Sequence, residues 1–175
     1  MTEAQLSNAM DAYGSTVYRL ALTRMQNIAD AEDVYQEVFL RLWKQAAEDW
    51  DGDRAKAWLI RTTLNRCADL HRFHLRRPVL SFAEIPDLAQ PEDESRELWE
   101  AVSRLPEKAR TAVHLYYAEG YSAEEISQLM PIPAATVRTR LHRARKQLKE
   151  LLGGIDDETC VSRSDGTNFG PQRAE

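Results

Sequence analysis

The densest candidate chemistry lies near the end of the chain. From Ala134 to Leu151 there are six bases (Arg138, Arg140, Arg143, Arg145, Lys146 and Lys149) and one acid, Glu150. At about 100° per residue, Val137, Leu141, Ala144, Leu148 and Leu151 share one stripe of a helix. Thr139, His142, Arg143 and Lys146 fall opposite, with Thr136 and Arg138 on the flanks. Arginine can donate twice to guanine O6 and N7, and threonine can meet a base or a thymine methyl. A plain solvated helix would carry similar charge. The preceding segment separates the two readings. Ser122 with Glu125 forms a capping box that opens a short helix through Met130. Pro131 and Pro133 break it before the basic helix begins. A short helix, a tight turn and a longer basic helix make a helix-turn-helix, whose second helix enters the major groove by its N-terminal part.

A second basic segment runs from Trp58 to Arg77, with five arginines and one acid, Asp69. Arg61 and Arg72 suit phosphate, while Trp58 and Asn65 suit unstacked bases. Trp58 taken alone reads first as a core residue, and so does Trp43. Cys67, His71 and His74 stand at i, i+4 and i+7, a spacing that could begin a zinc site. No fourth ligand lies nearby, so the reading is a packed cysteine and two surface histidines, with no metal and no cofactor. The acids of residues 92–100 fit a helix start, where the dipole favours anions. There is no glycine-rich phosphate loop and no nucleophile–base pair, so no enzymatic activity and no small-molecule substrate are expected.

The elements that must position these residues are helical throughout. Period-two alternation is absent. Thr2 with Gln5 caps a first helix over about Glu3–Met25, with Gly14 a weak point inside it. Asp30 is the expected N-cap of a second, with Val34, Val38, Leu40 and Leu42 as its apolar positions. Asp49–Asp53, with Gly52, reads as a loop. A third helix uses Trp58, Leu59, Thr62, Leu64, Ala68 and Leu70. Pro78, Pro86 and Pro91 mark residues 78–91 as a flexible linker. A helix from about Glu92 to Arg104 follows, then one opening at Pro106 and closing at Gly120 that carries Ala109, Val113, Tyr116 and Tyr117. Gly153-Gly154 stops the last helix, and residues 155–175 read as a flexible tail. The expected fold is all-α: two small helical domains (1–77 and 92–154), the second a helix-turn-helix domain.

The net charge of −5 argues against a nucleic-acid binder only as an average. Residues 81–100 hold seven acids and one base, which offsets the two basic segments. Footprints are local, because screening acts within about 8 Å at physiological salt. No apolar run could span a bilayer, and no secretory h-region follows Met1. Two isolated cysteines, Cys67 and Cys160, suit a reducing compartment. The expectation is a soluble cytoplasmic protein without membrane insertion.

Several stretches together carry a family likeness. LPEKARTAVHLYYAEGYSAEEISQLM followed by ATVRTRLHRARKQLKELL resembles region 4 of the extracytoplasmic-function (ECF) sigma factors. DAEDVYQEVFLRLWK resembles their region 2.2, and AWLIRTTLNRCADLHR resembles regions 2.3–2.4. The likeness covers roughly residues 10–152. It implies that Asp33, Gln36, Glu37, Leu40, Arg41 and Trp43 bind the clamp helices of the RNA polymerase β′ subunit, with the β flap as a further contact of the core enzyme. It implies that Trp58, Arg61, Asn65, Asp69 and Arg72 meet the −10 element and hold melted strand. It implies that the last helix, with Thr136, Arg138, Thr139, Arg140, His142, Arg143 and Lys146, reads the −35 element of promoter DNA. An anti-sigma partner is implied too. The chain departs from the family at Pro131, where a glycine is usual in the turn; proline there should keep φ negative. The alternatives are a stand-alone helix-turn-helix regulator, which leaves the first domain without a task, and a polymerase- or anti-sigma-binding paralogue without promoter activity, against which the intact basic face speaks.

Overall fold

A computed structural model of the chain describes residues 1–45, 52–76 and 93–153. Three helices form the first unit: α1 (Glu3–Met25), α2 (Ile28–Lys44) and α3 (Gly52–Arg76). The second unit holds α4 (Asp93–Ser103), α5 (Glu107–Val113) running into a π turn (His114–Ala118), α6 (Ala123–Leu129) and α7 (Ala134–Leu151). Among the described residues there is no strand. The expected linker at 78–91, the tail at 155–175 and most of the loop at 49–53 lie outside the described residues.

The capping box at Thr2 and Gln5 is present, with both reciprocal hydrogen bonds. Gly14 sits in the middle of α1 for a packing reason. A Cβ there would meet the Tyr35 hydroxyl at 3.0 Å, so the glycine lets α2 approach α1. That approach offsets the roughly 1 kcal/mol that glycine costs inside a helix. The expected cap of α2 is displaced. Asn27, not Asp30, takes that role: its side chain accepts the Asp30 N–H at 2.9 Å, and α2 begins at Ile28. Gln26 ends α1 in the left-handed region at φ 52°, so two residues suffice for the α1–α2 connection. Gly52 and Asp53, assigned to the loop, open α3 instead, and the Tyr13 hydroxyl donates to the Gly52 carbonyl at 3.0 Å.

Val17, Ala21 and Leu22 of α1 pack with Val34, Val38 and Leu42 of α2 and with Leu59, Cys67 and Leu70 of α3. Cys67 is fully buried, and burial pushes its thiol up to about 12. Its thiolate is then about a thousandfold scarcer than that of an ordinary thiol. Iodoacetamide at neutral pH should leave Cys67 unmodified in the native chain and label it fully in urea. Peptide mass spectrometry reads the difference, and rapid native labelling would contradict the packing.

The second core gathers Leu105, Ala112, Leu115, Ile126, Val137 and Leu141, completed by Leu20, Ile60 and Leu64 of the first unit. The helix expected to run unbroken from Pro106 to Gly120 instead widens at His114 into the π turn, in which the Glu119 N–H reaches back to the His114 carbonyl at 3.2 Å. Packing selects the wider turn: His114 and Leu115 face inward while Tyr117 is exposed. Gly120 does close the segment, at φ 75°. The Ser122–Glu125 capping box opens α6 as expected. The turn before α7 departs from expectation, because Pro131 has φ 20° where its ring favours about −65°.

Candidate nucleic-acid interface

α7 divides as the helical arithmetic requires. Val137, Leu141 and Ala144 are buried, and Leu148 is half-buried against the same core. Arg138, Thr139, His142, Arg143 and Lys146 are exposed on the outer side, while Thr136 and Arg140 are half-buried. Arg145 and Lys149, which add charge without belonging to the expected site, are exposed as well and extend the basic face toward the C-terminus. Arg138 is paired with Glu124 of α6. That pair joins the two helices of the motif, and sequence spacing gave no sign of it. Thr139 donates its hydroxyl to the Ala135 carbonyl at 2.9 Å.

On α3, Arg61, Asn65, Asp69 and Arg72 are exposed and follow one another at helical spacing. Arg72 donates to Asp69 within this stripe. Trp58 is half-buried against the first core, where its ring is mainly a packing element. The same end of α3 borders an open groove of about 690 Å³, lined in part by Asp33, Arg66, Asp69, Arg72, Phe73 and Arg76. Arg66, Phe73 and Arg76 were not among the residues expected from the sequence. Continuing the stripe by four residues from Asp69 and Arg72 leads to Phe73 and Arg76, so the signal was present. Cations with an exposed aromatic ring suit a single nucleic-acid strand.

α2 turns a different chemistry outward. Ala31, Val34, Val38, Phe39 and Leu42 are buried. Asp33, Gln36, Arg41, Leu40 (52% exposed) and Trp43 (42% exposed) face solvent, so Leu40 does not serve the core. Glu37 accepts from Arg41 at 2.9 Å, and that hydrogen bond holds its carboxyl below the usual carboxylate range. Apolar anchors ringed by charge are the composition of a protein-binding hot spot.

Cys67, His71 and His74 do not converge. Cys67 points into the core, the His71 ring faces Glu107 of α5 at 3.9 Å, and the His74 ring faces Asp30 of α2 at 3.7 Å. Among the described residues no cluster of three or more metal-ligating side chains occurs. Among them, too, no helix is long and apolar enough to cross a membrane.

Comparison with known proteins assigns the chain to a family. Residues 9–77 match the family model Sigma-70 region 2, and residues 95–148 match Sigma-70, region 4. The chain is 34% identical over 161 residues to the ECF RNA polymerase sigma factor SigE of Mycolicibacterium smegmatis, covering 86% of this chain and 62% of that protein. It is 32% identical to the ECF RNA polymerase sigma factor SigM of Bacillus subtilis, covering 83% of this chain and 94% of the relative. Its fold is similar to that of the sigma factor RpoE of Bartonella quintana, solved in complex with the anti-sigma factor NepR, at TM-score 0.73 and 23% identity, over 87% of this chain and 99% of that one. Both halves thus match in order, on the helices that carry the three outward faces, and the chain belongs to the ECF family of RNA polymerase sigma factors.

Proposed function

We propose that this chain binds core RNA polymerase and directs transcription initiation at a discrete set of promoters. The outer face of α2 docks on the β′ clamp helices, with the β flap as the second unit's contact. α7 reads the −35 element as duplex, through Arg138, Thr139, Arg140, Arg143 and their neighbours. The stripe of α3, with Arg61, Asn65, Asp69 and Arg72, meets the −10 element and holds the opened strand. The units 1–77 and 92–154 act as separate domains in that complex, with 78–91 setting their separation. The chain works in the cytoplasm without catalysis of its own. An anti-sigma partner holds it inactive; the similar fold of the Bartonella sigma factor, solved with the anti-sigma factor NepR bound, supports such a partner.

One observation carries the reading. Three helices bury their apolar sides in two cores and leave outward three faces of different chemistry: apolar with charge on α2, cationic with Asn and Phe on α3, cationic with Thr on α7. A stand-alone regulator has use for the third only. Photo-crosslinking tests the division of labour. A crosslinker at Arg143 should capture duplex near −35, and one at Asn65 should capture non-template strand near −10, in a polymerase–promoter complex. Interchanged crosslinks, or none from Asn65, would contradict it.

A further inference from the structure

Arg138, a base-reading candidate near the start of α7, is held by a second helix. Its Nη2 donates to Glu124 Oε1 of α6, 14 residues earlier in the chain and across the turn of the motif. Glu124 is itself held in place. The Ser122–Glu125 box fixes the first turn of α6, and the Ser127 hydroxyl donates to the Glu124 carbonyl at 2.6 Å. Ile126 and Leu129 bury the other side of this short helix in the core that also takes Val137 and Leu141 of α7. Packing therefore sets the spacing of the two helices and delivers the carboxylate to the end of α7 that enters the major groove.

The pair does little for the fold. Its side chains are 60% and 59% exposed, and ion pairs so open to water add little stability. For general attraction to DNA the acid is adverse, since phosphate repels it. What it supplies is orientation. An arginine side chain has many rotamers, and fixing one costs entropy on binding. The guanidinium is a planar fork with five N–H donors. One N–H of Nη2 spent on Glu124 leaves its second N–H, and those of Nη1, for guanine O6 and N7. In the groove water is displaced and the pair strengthens. The fork is then oriented before it meets the base, and less is lost on binding.

The same carboxylate discriminates against the wrong base. Where no guanine is offered, Arg138 gains most by swinging to a phosphate. That swing leaves Glu124 without its cation among phosphates, which is unfavourable. A sequence that breaks the pair is thus penalised, while one that keeps it is not. We propose that Glu124 is a positioning residue for promoter reading: it holds the Arg138 guanidinium toward one base pair of the −35 element and disfavours sequences at which Arg138 must leave it. The assignment rests on the −35 reading of α7 under Proposed function.

The test is selection of bound sequences from a library randomised around −35, by the full chain loaded on core polymerase. Wild type is compared with Glu124→Gln, Arg138→Ala and the double variant. Glutamine keeps the length and helix propensity of glutamate and removes its charge. Arg138→Ala should erase the preference at one base pair, which marks the base that Arg138 reads. Glu124→Gln should lower the preference at that same base pair about three- to tenfold and leave the other positions as in wild type. It should also raise retention of unpreferred sequences about two- to threefold, because one anion among the phosphates is gone. In the Arg138→Ala background, Glu124→Gln should change the base preference no further. Loss of a merely structural residue would weaken every −35 sequence alike. An unchanged preference in Glu124→Gln, or a uniform loss across the library, would overturn the positioning role and leave α7 as the −35 reader. A wild-type complex with no preference near −35 would overturn the reading of α7 instead.

Discussion

Replacing Arg138 and Arg143 together by Glu should reduce promoter-specific transcription at least about a hundredfold while leaving core polymerase binding unchanged. A bidentate arginine–base contact is worth about 1–3 kcal/mol. Two lost contacts, with two carboxylates set against phosphate, therefore exceed the roughly 2.7 kcal/mol that a hundredfold requires. Both side chains are exposed on α7, so the fold should survive. Arg138 is also paired with Glu124, and its reversal places two carboxylates face to face across the turn. Arg143→Glu alone is the cleaner variant, and it should weaken promoter binding and flatten its salt dependence by about one phosphate's worth if the contact is to the backbone. Unchanged transcription from the double variant would remove α7 from the DNA interface.

The second large effect is expected on α2. Leu40→Ala with Trp43→Ala should weaken core polymerase binding about thirtyfold or more, read by fluorescence anisotropy of the labelled chain. Each side chain is a large apolar group held in solvent, and truncating such an anchor costs about 2 kcal/mol or more at a hot spot. The melting temperature should hardly change, since neither side chain fills a core. Leu42→Ala provides the contrast. Leu42 is fully buried between its neighbours on the inner side of α2, and its truncation should cost about 2–5 kcal/mol of folding stability. A Leu40/Trp43 variant that binds polymerase as wild type does would place the docking surface elsewhere.

Much of this was legible in the sequence because amphipathic periodicity reports directly which side of a helix is buried. The Thr2–Gln5 and Ser122–Glu125 boxes marked two helix starts to the residue. The Val137–Leu141–Ala144 stripe fixed the rotation of α7, and with it the outward set. Periodicity does not say what an apolar stripe packs against. Leu64 reads as one apolar position of its own helix, and only the fold shows it completing the second core together with Leu20 and Ile60. Spacing gives no sign of what Arg110 does, because the carbonyls it serves are more than eighty residues earlier in the chain. Asp30 and Asn27 are both good caps, and the choice between them depended on how α1 ends at Gln26. The π turn at His114 is likewise set by packing, since no local pattern distinguishes it from α-helix.

The partner surfaces follow the same division. The charge segregation that offset a net charge of −5 was visible in the sequence, and the structure places both basic stripes on exposed helix faces. The groove also takes Asp33 from α2, and that juxtaposition depends on where α2 meets α3, which spacing along one helix cannot supply.

The most direct test of the central claim is in vitro transcription with core RNA polymerase and a promoter library, with and without this chain. The expected result is a discrete set of transcripts that depends on added protein, its promoters sharing bases near −35 and −10, and lost with Arg138→Glu/Arg143→Glu. Polymerase that binds the chain yet yields no protein-dependent transcript would contradict the account, and so would a chain that binds promoter DNA but not polymerase.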